Sequence, residues 1–280
     1  MSDDAPLPPV RAAVAGNMLK TLLLATLIAA LFAGLGWLLA GARGGTLFAV
    51  CALLAAIGAV WVGDRALLGM LGARPFAVAE DPILRSAADR IAAQLGIAAP
   101  KLSLIEDGFP RAFVVGRGPR SATLVVSRGL LGALPSRELD AVLAHELAHV
   151  RARDIVTQTS VVLLATTLVE SSRVGGWLSR TLLYVLAPIA AAFVHVLLSP
   201  RRELAADRVA VALEGAEELA DALVRLDRAG ELVHFESAPT TEPLYTVNPF
   251  DTTDRLSRMF VTHPPLTRRL ERLRETAATP

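Results

Sequence analysis

The chain has 280 residues, of which 53% are hydrophobic and only 5% aromatic, with a mean hydropathy of +0.47. That is too apolar for an ordinary soluble domain and points to membrane spans and a lipid-bilayer partner. A net charge of +1 gives no bulk electrostatic case for a nucleic-acid partner, and the single Cys51 excludes an internal disulfide or a cysteine-rich metal site.

Residues 1–18 read as a short disordered lead. Residues 21–40 then carry no charge and are long enough to cross a bilayer as a helix. The turn-like Gly41-Ala42-Arg43-Gly44-Gly45 leads to a second apolar segment, 46–63, so residues 19–63 read as a transmembrane hairpin rather than a cleaved signal peptide. Cys51 lies inside this apolar run, where a small buried hydrophobe is expected.

From Asp64 the character changes to that of a peripheral domain, with residues 64–154 as its first part. Asp81 before Pro82 is an N-cap followed by proline in the first turn, and Gly96 suits the stop. Ile83, Leu84, Ala87, Ala88, Ile91 and Leu95 between them follow helical spacing. Three strand-like runs come next, 101–105, 112–115 and 122–127, and their short connections predict a small antiparallel sheet. Ser136 is placed to cap the helix that follows.

That helix carries Ala144-His145-Glu146-Leu147-Ala148-His149. Histidines four apart on a helix share one face and can share one metal ion, and the glutamate between them is placed to polarise a water at that metal. Leu139, Val142, Leu143 and Val150 form a core stripe on a different face. Residues 155–199 hold the third and fourth hydrophobic segments: 155–169 is uncharged but dotted with Thr, Gln and Ser, while 181–199 is interrupted by Pro188 and His195. His195 reads as a bundle-facing packed histidine. Residues 200–280 return to the peripheral domain with helical patterns at 201–213 and 216–228. A long loop of little periodicity follows at 232–258, with His234 as a loop or packing residue, and a basic exposed helix closes the chain at 265–276.

A catalytic zinc site needs a third protein ligand. The extended pattern that continues with glycine and a third histidine is excluded, because Ala152 and Ile155 stand at those positions. The leading candidate is Glu203 in Arg201-Arg202-Glu203-Leu204-Ala205-Ala206-Asp207, with Asp207 one turn later on the same face to hold a ligand imidazole. Such a segment alone is commonly a solvated face. Topology supports the pairing: an even number of crossings between His149 and Glu203 returns both to one side of a membrane, and a single crossing would separate them. Arg11, Lys20, Arg65, Arg74, Arg151, Arg153, Arg201 and Arg202 flank the segments on one side, against Arg43, Arg173 and Arg180 with Glu170 on the other. By the positive-inside rule the metal site and both termini face the cytoplasm.

At this point the chain resembles the HtpX-type membrane zinc metallopeptidases, over about residues 71–273. The resemblance rests on Gly72-Ala73-Arg74-Pro75, Ala112-Phe113-Val114-Val115-Gly116, Ser127-Arg128-Gly129-Leu130-Leu131, the residues from Glu138 to His149, Arg202-Glu203-Leu204-Ala205-Ala206-Asp207 and Thr262-His263-Pro264-Pro265. It implies a mainly helical α+β fold: transmembrane helices plus a cytoplasmic zinc peptidase domain of the gluzincin type, in the bacterial inner membrane. It further implies one zinc per chain on His145, His149 and Glu203, with Glu146 as general base, and Ala112, Phe113, Val114, Val115 and Gly116 as the edge strand along which substrate adds. The implied activity is endopeptidase cleavage of misfolded or damaged membrane proteins or other unfolded polypeptides. The rival readings are a signalling peptidase and an inactive membrane scaffold. Two departures touch the substrate side rather than the metal: Arg111 stands where such proteins usually have asparagine, and Pro200 stands where a basic residue is common. His263 has two readings, an exposed ring at a helix terminus or a group that approaches the zinc to donate to the oxyanion or to cap the metal.

Overall fold

The computed structural model describes residues 11–77, 80–171, 179–232, 238–248, 250 and 253–277. Its first element, α1 (Arg11–Met70), folds back on itself where Ala40 and Gly41 leave helical geometry. The two arms meet so closely that a Cβ added to Gly36 would lie 2.3 Å from the carbonyl oxygen of Gly44, an approach only glycine allows. The helix starts at Arg11, so residues 11–18 of the expected lead are helical. Their alanine and methionine content favours continuation of the helix that follows. Residues 1–10 of that lead lie outside the described residues. Cys51 is exposed rather than buried, because the second arm turns Ala52 and Leu67 inward instead.

The helix α2 (Pro82–Gln94) starts as its sequence requires: the Asp81 carboxylate accepts from the backbone N–H groups of Ile83 and Leu84, each at 3.0 Å. The sheet comprises β1 (Arg74–Pro75), β2 (Lys101–Ile105), β3 (Ala112–Val115) and β4 (Thr123–Ser127), in the order β1-β2-β4-β3. It is mixed, not antiparallel. The β1–β2 and β3–β4 pairs are antiparallel, but β2 runs parallel to β4, with Lys101 opposite Thr123 and Ile105 opposite Ser127. Short connections predict hairpins throughout, yet here the chain leaves β2, steps past one strand position and returns through the β3–β4 hairpin. Ser127 fastens the crossing, since its hydroxyl donates to the carbonyl of Phe109 at 2.6 Å and accepts from the N–H of Arg111 at 3.0 Å. Gly129 lets the crossing loop lie directly on the next helix, α3 (Arg128–Ala133), where a Cβ would come 2.2 Å from the Gly108 carbonyl oxygen.

Both faces of the sheet are covered, as its continuous apolar strands require. On one face Leu102, Leu104, Val114, Leu124 and Val126 pack with α2, with α4 (Ser136–Ala152), and with α7 (Arg201–Glu214) and α8 (Ala216–Leu232). On the other, Ile105, Phe113, Val115 and Val125 meet Leu67 of α1, Val162 of α5 (Ile155–Ser171), and Leu244 and Tyr245. In α4 the N-cap is Pro135 and not Ser136; the Pro135 carbonyl already accepts from Leu139 N–H at 2.9 Å, so Ser136 falls inside the helix. The helix α6 (Ser179–Leu197) packs on α5 and is bent by 47° from α7, with Pro200 at the junction. Among the described residues no single helix is long and apolar enough to cross a membrane, whereas the bent pair Leu183–Leu197 and Arg201–Glu214 reaches that length together.

Residues 238–246 are not an irregular loop. Pro239–Leu244 form a 3-10 turn, and residues 240–246 are buried. Their Pro and Thr content mimics a loop, but several of their polar groups find distant partners: Thr240 bonds Thr166 at 2.7 Å, and Gln158 donates to the Pro243 carbonyl at 2.8 Å. A short helix, α9 (Arg255–Met259), follows, capped by Asp254. His195 is exposed, with Nε2 2.9 Å from the Met259 carbonyl, so it ties α6 to α9 instead of facing the bundle interior. His234 lies outside the described residues. The last helix, α10 (Leu266–Ala277), is not wholly exposed, because Arg269 and Leu273 turn inward.

Candidate active site

The four-residue spacing on α4 stacks His145 above His149, with ring centroids 5.1 Å apart and planes at 85°. The helix packs against α7, whose first turn supplies Glu203. Glu203 Oε2 lies 3.4 Å from His145 Nε2, and its Oε1 lies 3.7 Å from His149 Nε2. One ligand atom from each of the three residues falls within 4.8 Å of the other two, and all three residues are buried. His145 Nε2 is buried with no hydrogen-bond partner, an arrangement that is costly unless something else takes its lone pair. Two imidazoles and one carboxylate converging on such a spot fit a zinc ion.

Each histidine is held from behind. His145 Nδ1 stands 2.9 Å from Asp207 Oδ1, and His149 Nδ1 stands 2.9 Å from Asp154 Oδ2, which leaves both Nε2 atoms turned to the centre. Asp207 is in turn gripped by the fully buried Arg269, through Nε at 2.9 Å and Nη2 at 2.6 Å. Sequence reasoning missed Asp154 and Arg269. Asp154 reaches back because Arg153, the described non-glycine residue with positive φ (57°), reverses the chain at the end of α4. An aspartate just past a ligand helix was the available signal. Arg269 looked like one of several solvated arginines on a basic helix.

Glu146, on the next position of α4, points to the edge of the sheet. Its Oε1 accepts a 2.7 Å hydrogen bond from the Thr246 hydroxyl, which also lies 3.4 Å from the Ala112 carbonyl oxygen. Ala112 opens β3, the terminal strand of the sheet, and no described segment pairs with its outer edge. Just beyond the strand, Gly116 N–H donates to the Thr159 hydroxyl at 3.2 Å. The buried Arg111 pairs with Asp107. A cavity of about 630 Å³ opens beside these residues, lined among others by Phe109, Arg111, Leu226, Tyr245 and Phe250. His263 also lines it and is not an exposed terminus: it is buried, with Nε2 3.4 Å from Glu203 Oε2 and Nδ1 2.8 Å from Glu242 Oε1.

The charges are strongly coupled. Burial opposes the charge on His149, but Asp154 and Glu203 outweigh it and push its pKa up to about 10; burial likewise opposes His263, and Glu242 and Glu203 raise it to about 9. Burial also opposes ionised Asp207, yet Arg269 and His145 hold it down at about 2. Glu146 is raised above the usual carboxylate range, chiefly by burial. A raised histidine stabilises the fold fully below its ordinary value of 6.5, and the contribution is lost as pH climbs through the folded value. Protein stripped by a chelator is therefore expected to lose thermal stability between pH 6.5 and about 9–10. Zinc needs the neutral rings, so the gap between zinc-loaded and stripped midpoints should widen over that window. A stripped protein whose midpoint rises with pH there would contradict the assigned pairings.

The sequence matches the model of peptidase family M48 over residues 79–277. It is 37% identical over 279 residues to a protease HtpX homolog of Acidiphilium cryptum, covering 93% of this chain and 97% of the relative. To a protease HtpX homolog of Pyrococcus abyssi it is 34% identical over 281 residues, covering 94% and 96%. Among solved structures, the crystal structure of S. mikatae Ste24p aligns with a TM-score of 0.51 at 19% identity, over 94% of this chain and 66% of that one, a likeness of fold.

Proposed function

The chain belongs to peptidase family M48 and is a metalloprotease, a hydrolase acting on peptide bonds, and from that premise we propose an integral-membrane zinc endopeptidase with Glu146 as its general base. One observation carries the reading: His145, His149 and Glu203 converge, buried, around a ring nitrogen that has no hydrogen-bond partner. One zinc per chain on these residues would polarise a scissile carbonyl and make water acidic enough to attack it at neutral pH. The protein's own part is positional. Asp207 and Asp154 fix the two rings, and Glu146 takes a proton from the attacking water and carries it to the leaving amine. The outer edge of β3, which no described segment pairs, receives an extended substrate by backbone pairing. A peptide lying there takes the place at Glu146 that the Thr246 hydroxyl holds in this structure.

The membrane part of the reading is supported by where the apolar surface lies. Trp37, Leu38, Leu54 and Trp61 project from α1 at 61%, 83%, 62% and 65% exposure, more apolar surface than a solvated helix carries. Both ligand helices abut apolar helices: α4 runs into α5 at Asp154, and α6 turns into α7 at Pro200. This supports a site close over a membrane surface, on the side where the arginines cluster, which the positive-inside rule makes the cytoplasmic face of the bacterial inner membrane. Substrates in that position are membrane proteins with unfolded segments, which fits a quality-control role.

Full-length protein purified in detergent is expected to contain one zinc per chain and to cleave casein. A chelator should stop cleavage, and added zinc should restore it. Protein without zinc, or cleavage indifferent to the chelator, would sink the metallopeptidase assignment. For the quality-control role, membrane proteomes of cells carrying the wild type and Glu146→Gln should differ in the abundance of damaged membrane proteins, and identical proteomes would remove that role.

A further inference from the structure

Glu242 is fully buried, yet nothing in the scheme above uses it. It sits in the 3-10 turn Pro239–Leu244, and all four of its short contacts go to two consecutive residues. Its Oε1 lies 2.8 Å from His263 Nδ1 and accepts from the His263 backbone N–H at 3.3 Å. Its Oε2 accepts from the Thr262 N–H at 3.0 Å and from the Thr262 hydroxyl at 2.7 Å. A carboxylate so placed can only accept, which makes Nδ1 the protonated nitrogen and turns Nε2 the other way. That atom stands 3.4 Å from Glu203 Oε2, facing the candidate metal centre.

The turn that carries Glu242 is itself anchored to the elements that build the site. Arg202 Nη2 and Gln158 Nε2 both donate to the Pro243 carbonyl at 2.8 Å, and Arg202 Nε lies 2.9 Å from Glu203 Oε1. Glu242 is thus fixed relative to Glu203 rather than free to follow His263. A buried charge is costly unless its hydrogen bonds are complete, and here they are completed entirely by the Thr262–His263 pair.

We propose that Glu242 is a positioning residue for His263, acting on peptide hydrolysis only by holding that ring with Nε2 turned to the reaction centre. The assignment rests on the zinc-peptidase reading. A clasp that merely stabilises the fold would lower stability without coupling to His263 in turnover, and the two are separable.

The experiment is a double-mutant cycle on the full-length enzyme in detergent, using Glu242→Ala, His263→Ala and the double variant, with kcat, KM and zinc content measured for each. Each single substitution is expected to lower kcat by about 10–100-fold, the usual effect of losing such a supporting partner, with zinc still at one per chain. The double variant should fall no further than His263→Ala, within about threefold, because Glu242 has nothing left to orient. Glu242→Gln, whose amide oxygen can still accept from Nδ1, should recover part of the loss. If Glu242→Ala does not fold, Glu242→Gln takes its place in the same cycle. Multiplicative losses in the double variant, zinc lost from the Glu242 variant alone, or His263→Ala without effect on kcat would each overturn the proposal. Wild-type protein lacking zinc, or turnover by Glu146→Gln, would strike the peptidase reading itself instead.

Discussion

Glu146→Gln is expected to keep its zinc and to lose turnover, with kcat reduced by about 10²–10⁴-fold, the contribution of a general acid–base group. The amide matches the carboxylate in shape and can still accept the hydrogen bond from the Thr246 hydroxyl. Glu146 is not among the three residues whose ligand atoms cluster within 4.8 Å, so the candidate metal ligands are untouched. What disappears is the ability to take a proton from water and hand it on. Stability supplies a second reading of the same variant. The carboxylate is buried and its pKa is raised mainly by that burial, so removing its charge should leave the thermal midpoint unchanged or higher. Zinc analysis, steady-state kinetics and a melting curve together decide the matter. Turnover near the wild-type rate in a zinc-loaded Glu146→Gln enzyme would remove Glu146 from the role of base.

Arg269→Leu should be the most destabilising single change away from the metal cluster itself. Arg269 is 1% exposed and grips both oxygens of Asp207, while its Nη1 donates to the Thr246 carbonyl. Removing it leaves Asp207 as a buried carboxylate without its cation, a loss on the order of 3–5 kcal/mol. Zinc affinity should fall as well, by about 10–100-fold, since Asp207 is what holds the His145 ring. Adding Asp207→Asn to Arg269→Leu removes the stranded charge and should recover stability without recovering zinc affinity. The control is Arg272→Leu on the same helix, whose side chain is 61% exposed and whose loss should shift stability by no more than about 0.5 kcal/mol. Equal melting temperatures for the two leucine variants would show that the buried pair contributes nothing beyond a surface arginine.

These two residues mark how differently the parts of the site can be read. Glu146 was legible because helix geometry is local: 3.6 residues per turn places His145, Glu146 and His149 relative to one another wherever the helix lies. Glu203 and Asp207 needed one further step, a carboxylate pair one turn apart at the start of a helix, and the topology of the apolar segments then put them on the same side as the histidines. The cap of α2 was legible for the same local reason, Asp81 before Pro82. The sheet was not. Three of its four strands were found within a residue of their places and the two-residue β1 was missed, but strand direction in a sheet depends on which neighbour a strand chooses, and the short connections around β3 were compatible with either choice. The packing of residues 238–246 was hidden as well, because threonine, proline and glutamate read as a solvated loop until partners for their polar groups are known.

By itself, then, the sequence determined the helix that carries the paired histidines, the candidate ligand set expected of it, the apolar segments on either side and the charge asymmetry between their flanks. All of these follow from spacing along one helix or from composition along one segment. The tertiary structure alone decided what surrounds that set. Asp207 meets Arg269 across 62 residues, and Glu146 meets Thr246 across 100. Glu242 meets His263 only because the 3-10 turn is anchored on α5 and α7. No periodicity encodes such pairs. Each is a buried polar group whose cost is met only by a partner that folding delivers, and that is why the candidate metal ligands could be named from the sequence while most of the partners around them could be seen only in the fold.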